Sequence, residues 1–429
     1  MDQQKRVKDI KFAAWSIAGA FLTYFSMYAF RKPFSAGTYE GMVIWGMDYK
    51  IMLVTFQVAG YTLSKFMGIK LVSEMKPERR VVYILGLIGV SWLALLAFAL
   101  VPAPYNVWCL FFNGLPLGMI WGLVFGFLEG RRQTELLAAG LASSFIVSSG
   151  FVKSTGRSLV LEGVSEYWMP WKTGLLFVPL LLLGLFLLSR IPQPGEADVV
   201  ERTVRQPMTA AERRRFFIQF APGIVLTTLI YMGLNAYRDF RDNFAVEIWN
   251  ALGFAAQPEM LTLSEIPIAI LVLVLAGAMF LIRRARPGFY ISFFMILFGG
   301  ITLILATWMF TRGVIGPVTW MIGAGFGMYL PYMFYHTMLF ERWIALFKTG
   351  GNIGFLMYIA DSFGYLASVA VMLYKDFFVK DLSWLHFFTT FSFITGFAII
   401  LLGLLAFAYF LKKERDIHPD PQPGWMPAR

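Results

Sequence analysis

Apolar runs of roughly 18–25 residues, the length that crosses a bilayer as a helix, recur along the whole chain. This spacing leaves little choice of fold. About twelve windows meet the span criterion, over 12–30, 51–72, 81–102, 105–128, 136–160, 168–188, 216–237, 261–282, 289–310, 315–340, 343–374 and 387–411. Only 15% of the 429 residues are charged, against about a quarter in soluble domains. In lipid every backbone polar group needs a partner within the protein, so an all-α integral membrane fold without β-structure is expected. The first run exceeds a signal-peptide core, and no small-residue cleavage site follows it.

The lysines and arginines give the topology. Lys5, Arg6, Lys8 and Lys11, the 76–80 loop, Arg131 and Arg132, Arg213–Arg215, Arg283–Arg286 and Lys412–Arg415 all fall on one side of the twelve spans. Alternate loops hold only scattered cations such as Lys50, Arg312 and Lys375. By the positive-inside bias both termini are cytoplasmic, as in a multi-pass protein of the bacterial inner membrane. The net charge of +11 therefore reports orientation, and no nucleic-acid partner is expected. The longest polar stretch, 191–215, carries Pro192, Pro194 and Pro207 at the midpoint of the chain. It divides the chain into 1–190 and 216–412, two units of six spans each, with a tail at 413–429.

Two stretches stand out within the spans. Tyr28-Ala29-Phe30-Arg31-Lys32-Pro33-Phe34 ends the first, and Asn235-Ala236-Tyr237-Arg238-Asp239-Phe240-Arg241 recurs about half a chain later. Gly118-Met119 and Gly327-Met328, and Lys153 and Asp361, repeat at nearly the same offset. A common offset marks two pseudo-symmetric halves.

Depth then separates anchors from site candidates. Lys65 lies nine residues before Glu74, about 14 Å inside the boundary at the helical rise. Asp361 lies thirteen residues past Lys348, about 20 Å in. Arg31 reads either as an interfacial anchor or as a site residue, and its counterpart Arg238 and neighbours Tyr28 and Tyr237 favour the site. Each central charge costs about 2.5–3.5 kcal/mol on insertion scales. Arg31, Lys65, Lys153 and Arg238 are therefore expected to face a wet interior, with Lys32 in support. Guanidinium forks suit phosphate or carboxylate. Asp361 can pair with Lys153 or carry a proton, Asp239 can neutralise Arg238, and His336 reads as structural or as a proton carrier. Gly118, Gly122 and Gly126 form a small-residue stripe that marks close helix contact.

Two six-span halves joined by a cytoplasmic linker resemble the major facilitator superfamily, whose halves are parallel repeats. Arg31-Lys32-Pro33-Phe34, Ser64-Lys65-Phe66-Met67-Gly68, Lys348-Thr349-Gly350-Gly351 and Phe363-Gly364-Tyr365-Leu366 resemble its organophosphate:phosphate antiporter branch. The chain is also similar to a bacterial membrane family of unknown function. The antiporter resemblance implies Arg31 and Arg238 on either side of a substrate phosphate, assisted by Lys65. The fifth-span histidine of that branch is replaced here by a serine-rich stretch, Ser143 to Ser149.

The sequence thus predicts a monomeric secondary transporter of a small organic anion, a phosphate ester or carboxylate, with a proton or phosphate as coupling ion. Cytoplasmic charges at Glu74, Arg79, Arg80, Arg283 and Arg284 would gate it. No cofactor, metal or catalytic set is expected: three histidines and Cys109, the single cysteine, make no ligand cluster. A cation or lipid exporter of the same fold and a non-transporting membrane sensor are the alternatives.

Overall fold

A computed structural model describes residues 2–73, 75, 77–128, 134–192, 209–279, 282, 284–347, 353–379 and 382–417. Helix α1 (Asp2–Met27) gives way to two short 3-10 turns, Tyr28–Phe30 and Pro33–Ala36. Pro33 has no N–H to donate back into the helix, so the regular ladder ends here. A small hairpin follows, with β1 (Val43–Ile44) antiparallel to β2 (Met47–Asp48). Trp45 and Gly46 close it at φ of 52° and 80°, the left-handed pair that a tight hairpin turn needs. The all-α expectation is corrected at these four strand residues. They lie between apolar runs, where exposed Val43 and Trp45 meet no lipid constraint.

The other helices are α2 (Tyr49–Ser73), α3 (Arg80–Leu100), α4 (Val107–Leu117), α5 (Ile120–Phe125), α6 (Thr134–Leu161) and α7 (Met169–Ser189). After the linker come α8 (Ala210–Asn243), α9 (Ala245–Ala251), α10 (Met260–Leu263), α11 (Glu265–Met279) and α12 (Ala285–Thr311). The last are α13 (Pro317–Phe334), α14 (Phe340–Phe347), α15 (Ile353–Phe378) and α16 (Trp384–Ile417). Thr209 caps α8 reciprocally with Glu212, in a capping box. Within the 343–374 run the described helices are α14, to Phe347, and α15, from Ile353, and 348–352 lies outside the described residues.

Among the described residues, 8 helices are long and apolar enough to cross a membrane by length and composition. The four remaining apolar runs coincide with α1, α2, α6 and α13. Polar side chains interrupt the first three: Thr23 and Ser26 in α1, Gln57, Ser64 and Lys65 in α2, and Ser143, Ser144, Ser148, Ser149 and Lys153 in α6. Most of these are buried, so their polarity faces protein and not lipid.

Helices before residue 190 pack chiefly on one another: α1 on α6 and α7, α4 on α2 and α3. Those after residue 209 do the same, α8 on α15 and α16 and α12 on α13 and α16. The two sets meet where α2 touches α15 and where α6 touches α10 and α11. Glycines set the closest approach. A Cβ on Gly114 of α4 would strike the Gln57 carbonyl of α2, and one on Gly118 would meet Ser64 and Tyr61. Of the expected linker, 193–208 lies outside the described residues.

Candidate functional site

The break after α1 leaves backbone carbonyls inside the protein, and buried carbonyls need donors. Three neighbouring helices supply them. Gln57 of α2 donates to the Arg31 carbonyl at 2.6 Å. Asn113 of α4 donates to the Phe30 carbonyl at 2.8 Å, and Ser91 of α3 reaches the same oxygen at 3.2 Å. Gln57 also donates to Asn113 at 2.7 Å, closing the network. All three side chains are buried. The network fixes the backbone at Arg31, whose side chain is thereby aimed into a cavity.

That cavity, about 440 Å³, is lined from both sets of helices. Its deep end holds Tyr28, Arg31, Tyr61 and Arg238. It extends to Ala138, Glu341, Ile353 and Gly354, at the face where α6 and α15 begin. The Arg31 guanidinium stacks on Tyr61 at 3.8 Å from the ring centroid. Among the described residues no carboxylate pairs with Arg31, and its Nε has no hydrogen-bond partner.

The other two cavity cations are paired. Arg238 binds Asp239 Oδ1 at 2.8 Å, donates to the Tyr332 hydroxyl and sits over the Tyr332 ring. Lys65 faces Asp361 at 3.7 Å, across the gap between the two sets of helices. These two side chains are 27% and 23% exposed, whereas the ion pairs on the opposite side are tight and almost dry. Asp361 also accepts from Tyr231 at 2.5 Å, and Tyr231 lies 3.1 Å from His336 Nε2 and 3.3 Å from the Tyr332 hydroxyl. His336 therefore lines the cavity within a connected polar chain. It sits in the π turn Tyr335–Leu339 between α13 and α14, an irregularity frequent at functional sites.

Several sequence candidates lie elsewhere. Lys32 and Lys153 both bind Asp242, each at 2.6 Å, and do not line the cavity. The expected Lys153–Asp361 pairing is corrected: Asp242 intercepts Lys153, because it lies one turn beyond Arg238 on α8 and faces α6. Tyr237 hydrogen-bonds Ser392 at 2.8 Å and stacks on Phe388, away from the cavity. Arg79 and Arg284 are exposed, and Arg80 donates to the Gly126 carbonyl. Glu74 and Arg283, the other gating residues, lie outside the described residues.

Sequence reasoning missed Asp242, Tyr61, Tyr231, Tyr332, Tyr365 and the Gln57–Asn113–Ser91 network. Asp242 carried a usable signal, a carboxylate four residues after Arg238 and directly after the repeated stretch. The tyrosines did not, because rings in an apolar run look alike whether they face lipid or a cavity.

A sequence-family model, described as a family of unknown function (DUF5690), matches residues 33–413. The chain belongs to this family. No curated protein matches it by sequence. Its structure is similar to that of a D-xylose–proton symporter, with TM-score 0.60 and 16% identity over 92% of this chain and 96% of that one. The nucleoside transporter NupG, as a point mutant, matches with TM-score 0.60 at 12% identity over 93% of this chain and 100% of that one. A bacterial homologue of the lysosomal transporter Spinster, in an inward-facing and unoccupied conformation, matches with TM-score 0.59 at 10% identity, over 97% and 99%. At these identities the likeness establishes a shared fold, that of major facilitator-type transporters.

Proposed function

We propose that this protein is a secondary active transporter of a small organic anion, with twelve spans in two pseudo-symmetric six-helix bundles. The bundles are 1–190 and 216–412, joined by the 191–215 linker, with both termini and the 413–429 tail in the bacterial cytoplasm. The observation that carries the reading is Arg31, a buried guanidinium aimed into a cavity with no carboxylate on it among the described residues. An uncompensated buried cation is costly, and an arriving carboxylate or phosphate oxygen relieves that cost through paired hydrogen bonds.

Alternating access follows from how the two sides differ. Away from the termini, Lys32–Asp242, Lys153–Asp242 and Lys50–Glu247 tie the two bundles together at 2.5–2.6 Å. Toward the termini the cavity reaches the surface. The arrangement is thus an inward-open state with a latched outer gate, and rocking of the bundles would exchange the two. Charges in the 74–80 and 283–286 loops would serve the inner side.

Lys65–Asp361 is the coupling element in this scheme. An anion on Arg31 attracts Lys65, whose ammonium lies 5.5 Å from the same Tyr61 ring. Asp361, released from Lys65, then takes up a proton within its contacts to Tyr231 and the His336 chain. Anion and proton move together.

Uptake into proteoliposomes tests the function. A panel of labelled carboxylates and phosphate esters should include a transported member. Arg31→Gln should abolish its uptake while melting near the wild-type temperature, and Arg238→Gln, which strands Asp239, should abolish it with a loss of stability. Full transport by both variants, or uptake of cations alone, would remove the anion site.

A further inference from the structure

We infer that the transported anion carries a single negative charge on a flat aromatic body, an aryl monocarboxylate in chemical class. The inference rests on the anion reading above and narrows it. It begins with charge. Among the described residues the cavity cations are Arg238, closed by Asp239, Lys65, engaged by Asp361, and Arg31, which alone has no carboxylate. At rest one open guanidinium suits one carboxylate; a dianionic phosphate or a dicarboxylate would meet Lys65 only after Asp361 had given it up, so the resting site selects the monoanion.

The walls give the body. Tyr24, Trp121 and Phe145 form one aromatic corner, with ring centroids 5.1 Å apart for Tyr24–Trp121 and 5.2 Å for Trp121–Phe145. Tyr61 and Tyr365 meet edge to face at 5.5 Å on the Arg31 side, one ring from each set of helices. Spacings of about 4.5–7 Å are those at which aromatic rings interact favourably. A planar ring entering this corner would extend the existing lattice of rings.

The polar complement points the same way. No asparagine or glutamine lines the cavity among the described residues. The hydroxyls of a sugar acid would need such paired donors and acceptors, and each one buried without a partner weakens binding. Two of the lining phenols are already engaged: Tyr332 accepts from Arg238, and Tyr335 donates to the Thr227 carbonyl. At about 440 Å³ the space falls in the usual range of small-ligand sites, roughly 300–1,000 Å³.

The test holds charge type in view and varies the body. Purified full-length protein is titrated with benzoate, phenylacetate and 2-naphthoate, and in parallel with acetate, gluconate, succinate, glycerol 3-phosphate and inorganic phosphate. Melting temperature and tryptophan fluorescence are read together, the latter as the difference between the parent protein and Trp121→Phe, which isolates Trp121 in the wall from the other tryptophans. The expected result is that the aryl carboxylates bind about tenfold or more tighter than acetate or gluconate, in keeping with ring burial. Phe145→Ala should weaken 2-naphthoate more than acetate, with Phe145→Leu as the variant of record if the alanine protein melts early. Tighter binding of gluconate, succinate or either phosphate than of every aryl carboxylate overturns this inference and leaves the anion reading standing. Failure of every anion to bind overturns both.

Discussion

Replacing Asp242 with alanine tests the latch. Its carboxylate holds Lys32 on one oxygen and Lys153 on the other, both at 2.6 Å, and the lysine side chains are only 6% and 4% exposed. Ser149 and Asn243 add hydrogen bonds to the same cluster. Removing one partner of a buried ion pair costs about 3–5 kcal/mol, because the other charge is left without compensation. Here the cost falls on the latched arrangement alone, since an outward-open arrangement would hydrate both lysines. The balance should therefore move toward the open form by about two to four orders of magnitude, at about 1.4 kcal/mol per tenfold. Spin labels on exposed Glu162, just after α6, and exposed Gln257, just before α10, in a Cys109→Ser background, report on the gap between the two sets of helices. Double electron–electron resonance should give a longer distance for Asp242→Ala than for the parent. Combining Asp242→Leu with Lys32→Met and Lys153→Met should restore the short distance, because an apolar replacement of a whole buried cluster is often neutral. An unchanged distance in Asp242→Ala, with unchanged melting, would refute the latch.

Two further outcomes follow from the same geometry. Asn113→Leu removes the donor to the Phe30 carbonyl and the acceptor for Gln57, so it should lower stability by about 1–3 kcal/mol. It should also weaken anion binding although it touches no ligand, a pairing that melting curves and titrations read separately. Asp361→Asn should end accumulation driven by a pH gradient in proteoliposomes while preserving counterflow exchange of the same solute. Gradient-driven accumulation by that variant would exclude Asp361 as the proton carrier.

The fold was legible because bilayer thickness imposes its length on the sequence, run after run. The depth of Arg31 was harder to read. Counting from Phe12 along a straight helix put it near an interface, but α1 begins at Asp2 and stops at Met27, and a 3-10 turn carries Arg31 into the interior. Cation identity was visible, and cation allegiance was not. Lys32 and Arg31 are adjacent, yet one is bound to Asp242 and the other faces the cavity. Such divergence depends on which neighbour a side chain meets in space. Paired charges at matching offsets could not reveal that Asp361 meets Lys65, because the partners come from helices that touch only in the folded molecule.

Three compounds of one shape and different charge give the most direct measurement of the central claim: benzoate, benzamide and benzamidine. Each is titrated against the parent protein, Arg31→Lys and Arg31→Gln, with the shift in melting temperature as the readout, because binding to the folded state stabilises it. Stabilisation by benzoate alone is predicted, reduced in Arg31→Lys and lost in Arg31→Gln. Equal stabilisation by benzamidine, or an undiminished benzoate shift in Arg31→Gln, would contradict it.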